Sequence, residues 1–309
     1  MTIEKPLIVI LGPTASGKTS WAIHLAKKFN GEIISADSRT IYEKMDIGTA
    51  KPSKKEQQVV PHYLLDIIKP DQEFSVADFQ KLAQKTINQI HKKGKLPFMV
   101  GGTGLYIDAV CYNFKLPPIS LDSKLRLKLA KKSLAALQKL LKIKDPDTFG
   151  KIDLKNKRRL IRALEVCITS GKKFSKLKTA DKPCYRILKI GVKVSREKLY
   201  EKINQRLDEM VKKGLVEEVQ KLYKAGYDFN LPAISGLVYR EIGEYVRRNI
   251  SLEEALQTAK TRTRNFARRQ MTWFRRDKNI IWIENVQNAE IAINKFLKRG
   301  AGGATIVQN

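Results

Sequence analysis

Residues 10–21 read ILGPTASGKTSW, the end of an apolar run followed by a glycine-rich loop. Two glycines, a lysine and a threonine in this stretch fit the pattern G-x-x-x-x-G-K-[ST]: Gly12, Gly17, Lys18 and Thr19. Between a strand and a helix, such a loop surrounds a phosphate with backbone N–H groups, the lysine adds positive charge, and the hydroxyl can bind Mg²⁺. Because amides and lysine recognise oxygen atoms, the loop leaves open whether ATP or another diphosphate is bound.

Strand and helix patterns alternate on both sides of this loop. Short apolar runs predict strands at 7–11, 32–35, 63–68, 97–100, 187–194 and 280–284. Apolar residues at helical spacing predict helices at 18–29 and 76–93, and a capping box at Ser251 and Glu254 opens a helix that reaches about residue 276. This alternation is typical of an α/β fold with a parallel sheet.

A basic helical segment interrupts the pattern between about 116 and 180. Two amphipathic helices are predicted there, near 122–142 and 154–170. The segment holds 18 Lys or Arg against 5 Asp or Glu, so it supplies 13 of the 29 excess positive charges of the chain. We predict a core in two parts, at 1–115 and 185–290, with an insertion at 116–184 between them. The C-terminal segment, 291–309, is predicted to begin as helix and to end as a flexible tail.

The overall composition favours a polyanionic partner. The 309 residues include 60 Lys or Arg against 31 Asp or Glu, a formal charge of +29 that attracts nucleic acid or an anionic membrane surface. No run approaches the roughly 20 apolar residues of a membrane span, and the first residues, MTIEKPLIVIL, show neither a signal nor a transit pattern. The three cysteines form no C-x-x-C pair and no cluster with the histidines. We expect a cytoplasmic protein that does not enter a membrane.

The second predicted strand ends in SADSRTIY, which places Asp37 at the carboxyl edge of the sheet, where doubly wound folds bind ligands. A carboxylate there can help to bind Mg²⁺, as in a nucleotide kinase, or can accept a proton from an attacking nucleophile. The loop and Asp37 alone leave a nucleotide or small-molecule kinase open. The charge leaves open a non-catalytic RNA-binding module.

Eight motifs resemble, in order, those of the tRNA dimethylallyltransferase family. They are GPTASGKT (12–19), ADSRTIYEKMDIGTAKP (36–52), HYLLDI (62–67), FSVADF (74–79), VGGTGLYI (100–107), RRLIRALEV (158–166), ISGLVYREI (234–242) and TRTRNFARRQMTWFRR (261–276). The resemblance implies a P-loop NTPase-like core with an all-helical insertion. It also implies transfer of a dimethylallyl group from dimethylallyl diphosphate to N6 of the adenosine immediately 3′ of the anticodon in tRNA, with release of diphosphate, so that the loop binds a prenyl diphosphate and not ATP.

The resemblance further implies roles for individual residues. Asp37 corresponds to the general base, Lys18 and Arg206 lie near the diphosphate, and Thr19 lies near a Mg²⁺ cofactor. The diphosphate is bound by Gly12, Thr14, Ala15, Ser16, Gly17, Lys18 and Thr19.

The tRNA contacts implied by the resemblance fall in two groups. Around the target adenosine lie Asp37, Ser38, Arg39, Thr40 and Thr103. On the insertion lie Arg126, Arg158, Arg159 and Arg162, whose charge suits phosphate contacts. Many relatives have glutamine at the position of Thr40. Because a stacked base cannot reach a buried carboxylate, we expect the adenosine of the anticodon stem-loop to be flipped out of the stack into the enzyme, which we expect to be a monomer.

Overall fold

The structure is a computed structural model that describes residues 5–116, 123–176, 179–228, 231–234 and 236–301. Its strands are β1 (Pro6–Leu11), β2 (Gly31–Ser35), β3 (His62–Tyr63), β4 (Leu96–Gly101), β5 (Phe114–Lys115), β6 (Thr179–Ala180), β7 (Arg186–Val192) and β8 (Ile280–Ile283). Its helices are α1 (Lys18–Lys28), α2 (Lys54–Val59), α3 (Val76–Lys92), α4 (Gly104–Cys111), α5 (Ser123–Ala130), α6 (Leu134–Lys144), α7 (Pro146–Phe149), α8 (Lys157–Ser170), α9 (Arg196–Lys212), α10 (Leu215–Lys224), α11 (Tyr239–Val246), α12 (Leu252–Phe274) and α13 (Val286–Ala301).

Six of the described strands form a parallel sheet in the order β3-β2-β4-β1-β7-β8. The central strand β1 carries residues that are almost wholly buried, from Leu7 to Leu11, because helices cover both faces of such a sheet. Leu11 is in register with Gly101 of β4 and Gly191 of β7, so the carboxyl ends of three neighbouring strands meet at one edge. The predicted α/β fold, a P-loop NTPase-like sheet flanked by helices, is confirmed.

The strand predicted at 63–68 is wrong beyond its first residue. Leu64 and Asp66 have positive φ angles of 61° and 52°, which an extended strand cannot contain. The backbone N–H of Ile67 donates instead to the carbonyl of Ile41 at 2.8 Å. The apolar run therefore packs against the segment that follows β2 and leaves the sheet.

The chain divides into two compact units, one built from Met1–Cys111 and Cys184–Asn309, the other from Tyr112–Pro183. From the sequence, the insertion is predicted at 116–184. The second unit contains the antiparallel pair β5 and β6 and helices α5 to α8. Its core is formed by apolar side chains of three of these helices: Leu129, Leu137, Leu141, Leu160, Ile161, Ala163 and Leu164.

The helix predicted at 122–142 is two helices. The first ends at Ala130, and a new one begins at Leu134, where the hydroxyl of Ser133 accepts the N–H of Ala136 at 3.2 Å.

At the end of the second helix the buried Asp145 accepts hydrogen bonds from the backbone and hydroxyl groups of Thr148 and Ser175. Burial acts to raise the pKa of this carboxyl, but the hydrogen bonds outweigh it and lower the pKa to about 2.

In the first unit, α9 to α12 pack against the segment that follows β2. Ile41, Met45, Leu207, Ala259 and Ala267 belong to this second core. The predicted capping box is present, since Ser251 and Glu254 exchange hydrogen bonds at the start of α12. The predicted tail beyond residue 301 lies outside the described residues. Within the part of the chain that the structure describes, no helix is long and apolar enough to cross a bilayer.

Candidate active site

The loop between β1 and α1 has the conformation of a phosphate cradle. Ala15 and Gly17 have positive φ angles of 62° and 88°, and the N–H of Ser16 donates to the carbonyl of Pro13 at 3.2 Å. No side chain of the described residues caps the N-terminus of α1, which begins directly after Gly17. The N–H groups at the start of this helix can therefore bind an anion.

Two cations and one carboxylate lie together beside this loop. Burial lowers the pKa of Lys18 to about 8, while Asp37 acts to raise it and Arg206 to lower it. Burial also lowers the pKa of Arg206, against the attraction of Asp37. The Nζ atom of Lys18 donates to the carbonyl of Pro13 at 3.3 Å, which holds the lysine against the loop. Because two desolvated cations face one carboxylate, the cluster has an excess positive charge that suits an anion with more than one charge.

Two cavities meet at this cluster. The larger has a volume of about 310 Å³ and extends along α9, α11 and α12, where Tyr239, Phe266 and Arg269 line it. The smaller, of about 70 Å³, lies beside the start of α1 and the end of β2, where Lys18, Thr19 and Ser35 line it. Among the residues that the structure describes, four line both cavities: Thr14, Asp37, Thr49 and Arg206. Asp37 therefore lies where a group bound by the loop can meet a group that enters through the larger cavity.

The loop after β4 holds the Asp37 segment in place. Oδ1 of Asp37 accepts the N–H of Arg39 at 2.9 Å, and the N–H of Ser38 donates to the hydroxyl of Thr103 at 3.0 Å. The N–H of Thr103 in turn donates to the carbonyl of Ala36 at 3.2 Å. A side chain at Gly104 would clash with the ring of Trp273, which explains the small residue there. The GGTG motif thus orders the residues around Asp37.

The sequence of this chain is similar to those of known proteins. The sequence model of a family described as IPP transferase matches residues 40–277. The chain is 48% identical over 284 residues to the tRNA dimethylallyltransferase of Acetivibrio thermocellus. The aligned region covers 90% of this chain and 91% of that protein. It is 45% identical over 309 residues to the tRNA dimethylallyltransferase of Thermoanaerobacter pseudethanolicus. That aligned region covers 96% of this chain and 98% of that protein. The chain belongs to the IPP transferase family.

Solved structures of IPP transferases have the same fold. A crystal structure of the full-length tRNA isopentenylpyrophosphate transferase from Bacillus halodurans is 40% identical and superposes with a TM-score of 0.73 over 96% of this chain and 98% of that chain. The structure of a eukaryotic dimethylallyltransferase acting on tRNA is 25% identical, with a TM-score of 0.81 over 96% and 80%. The family resemblance found in the motifs is confirmed.

Arg39 and Thr40 have specific places in this IPP transferase. Nη1 of Arg39 donates to the carbonyls of Pro232 and Ala233 at 2.6 and 3.1 Å, which ties the segment before α11 to the end of β2. Thr40 is buried, and its hydroxyl lies 2.9 Å from that of Ser35. Arg39 lines the larger cavity and Thr40 the smaller one, so the two neighbours face different sides of the site. Their contacts with tRNA remain predictions.

The four arginines predicted on the insertion differ in their surroundings. Arg158 and Arg159 are exposed on α8. Arg126 holds the buried Glu165 with two hydrogen bonds of 2.7 and 2.9 Å, and Arg162 lies 3.6 Å from the same carboxylate. Arg158 and Arg159 can therefore meet a phosphate directly, while Arg126 and Arg162 also neutralise a buried charge within the insertion.

Several residues that shape the site are not recognisable as site residues from the sequence. Thr49 lines both cavities, and the segment that carries it is held by Glu218, which accepts the N–H groups of Asp46, Ile47 and Gly48. Gln270 connects two loops at the site. Thr49 and Gln270 lie inside the quoted motifs, but neither residue type is distinctive of a site by itself.

The donor set limits where a metal ion can bind. Across the described ranges of the chain, no three His, Cys, Asp or Glu side chains come together as a metal site. Thr19 and Asp37 line the same small cavity. Mg²⁺ accepts one or two protein oxygens when a bound diphosphate supplies further ones, so these residues fit a metal ion that arrives with its substrate.

Proposed function

We propose that this chain transfers the dimethylallyl group of dimethylallyl diphosphate to N6 of the adenosine immediately 3′ of the anticodon in tRNA and releases diphosphate. One observation carries the proposal: Asp37 and Arg206 line both cavities, and one cavity opens onto the loop after β1. A kinase would need a nucleotide in the same loop, whereas a prenyl transfer needs an anionic leaving group and a base on opposite sides of one carbon. The names of the relatives support this choice.

The loop and its cations bind the donor. N–H groups at the start of α1, with Lys18 and Arg206, contact the diphosphate, whose negative charge increases as the allylic C–O bond breaks. Fixed cations and amides that face developing charge stabilise a transition state because they need no reorganisation. Mg²⁺ held by the hydroxyl of Thr19 and the diphosphate would neutralise further charge.

The acceptor enters from the other side. The larger cavity is lined by Phe266, which is partly exposed, and a flipped adenine can pack against its ring. As the bond from N6 to the allylic carbon forms, the C–O bond breaks and the diphosphate leaves with the electron pair. Asp37 takes the N6 proton on the oxygen that Arg39 does not occupy.

The insertion binds the phosphate backbone of the RNA. Its excess of 13 positive charges between 116 and 180 suits the phosphates of an anticodon stem-loop, and Arg158 and Arg159 are exposed for that purpose. We propose that the enzyme acts as a monomer. We place the enzyme in the cytoplasm, with its tRNA substrate.

The test is incubation of the purified protein with Mg²⁺ and unmodified tRNA that has adenosine after the anticodon, with either dimethylallyl diphosphate or ATP as the second substrate. Mass analysis of the nucleosides should show a dimethylallyl gain on adenosine with the prenyl donor alone. Consumption of ATP without such a gain would contradict the proposal and favour a kinase. No turnover of either compound, together with tRNA binding, would favour a non-catalytic RNA-binding module.

A further inference from the structure

Gln270 of α12 joins two loops of the active site. Its side chain is buried, its Oε1 accepts the backbone N–H of Thr14 at 2.9 Å, and its Nε2 donates to the carbonyl of Gly102 at 2.8 Å. These partners are 256 and 168 positions away along the chain. A single amide of α12 thus satisfies one backbone group in the loop after β1 and one in the loop after β4.

The two loops have different tasks, and this argument rests on the proposed function. The loop after β1 binds the diphosphate of the donor, while the loop after β4 carries Thr103, whose hydroxyl accepts the N–H of Ser38 beside Asp37. We propose that Gln270 is a positioning residue that sets the spacing between the bound prenyl donor and the Asp37 segment. Its side chain lines the larger cavity, and it acts on the reaction through these two backbones.

Close packing makes this spacing sensitive to the amide. A Cβ atom on Gly102 would lie 3.4 Å from the carbonyl oxygen of Gly12 and would clash with Nε2 of Gln270. The backbones of the two loops are thus almost in contact at this point, so a shift of either loop alters both hydrogen bonds. A displacement of about 1 Å between reacting groups can reduce a transfer rate about 10²-fold.

Gln270→Met removes both hydrogen bonds at similar side-chain length. We expect kcat for prenyl transfer to fall about 10- to 100-fold and the Kd of inorganic pyrophosphate to rise about 10-fold, because the Thr14 N–H is left without its acceptor. The Kd of tRNA should stay within about twofold, since the insertion is unchanged. If the role is structural only, the variant melts at a lower temperature but keeps the wild-type kcat and pyrophosphate Kd per folded molecule.

Two further variants complete the test. Gln257→Met makes the same change at an exposed position of α12 and should keep all wild-type values. Gly102→Ala displaces the side-chain amide of Gln270 without removing that residue. It should therefore lower kcat and raise the Kd of pyrophosphate as Gln270→Met does, and it tests the inference if Gln270→Met does not fold. Wild-type kcat and pyrophosphate Kd in a folded variant would overturn the inference. A wild-type chain that prenylates no tRNA would overturn the proposed function, while pyrophosphate titration would still test the link from Gln270 to the loop.

Discussion

The hydroxyl of Tyr239 donates a hydrogen bond to Oε1 of Glu218 at 2.7 Å, and both residues clamp the segment that carries Thr49 into the active site. The same carboxylate accepts the N–H groups of Asp46, Ile47 and Gly48 at 2.8 to 3.1 Å. A Cβ atom on Gly48 would lie 2.6 Å from the ring of Tyr239, so only glycine allows this approach. A helix residue far along the chain thus shapes the wall of both cavities.

Replacing that carboxylate should loosen the segment. Glu218→Gln leaves one oxygen where two accept four hydrogen bonds, so at least one N–H loses its acceptor and the free energy of unfolding should fall by about 1–3 kcal/mol. Urea denaturation measures the loss. The neighbouring Glu217→Gln, at an exposed position, is the control and should change stability by less than about 0.5 kcal/mol. Equal stability of the two variants would show that the clamp contributes nothing.

The low pKa of Lys18 predicts a pH dependence of diphosphate binding. Because burial lowers this pKa to about 8, the ammonium is charged below that pH and loses its proton as the pH rises through it. The affinity for inorganic pyrophosphate should therefore decrease as the pH increases from about 7 to about 9.5. Calorimetric titration at several pH values measures this.

Lys18→Met should bind pyrophosphate weakly at every pH in that range and should remove most of the pH dependence. Lys27→Met, at an exposed position on the same helix, should retain the wild-type profile. A profile that persists unchanged in Lys18→Met would assign the titration to another group.

Asp37→Asn tests the base. The amide keeps an oxygen for the N–H of Arg39 but cannot accept the N6 proton, so kcat should fall by about 10²- to 10⁴-fold. Because the proton transfers only in the transition state, the Kd values of tRNA and pyrophosphate should change little. Single-turnover kinetics and binding titrations separate these quantities. Normal turnover with weak tRNA binding would contradict a role as base.

The exposed arginines of α8 should determine the salt dependence of tRNA binding. Each phosphate contact that is lost lowers the slope of log K against log salt by about 1, so Arg158→Gln/Arg159→Gln should reduce it by about 2 and weaken binding. Filter binding across a salt series measures the slope. Lys81→Gln/Lys85→Gln on α3 removes the same charge from the other unit and should leave the slope unaltered. Equal slopes in wild type and the α8 variant would place the RNA surface elsewhere.

The sequence predicts the sheet well because its buried strands are continuous apolar runs, and it predicts the start of α12 because Ser251 and Glu254 form a local capping box. It fails at Leu64 and Asp66 because positive φ angles there come from long-range backbone hydrogen bonds, not from residue types. Lys18 and Asp37 are recognisable from motifs. Gln270 is not, since its role depends on two partners that only the folded chain brings together.

The position of the insertion has a consequence for synthesis. The central strand β1 pairs with β4 on one side and with β7 on the other, and the whole Tyr112–Pro183 unit lies between β4 and β7 in the chain. While the ribosome is still producing the insertion, β1 has an unpaired edge, and the sheet cannot be completed until Arg186–Val192 has emerged. Until β7 has emerged, this exposed apolar edge of β1 can pair with wrong partners or bind a chaperone.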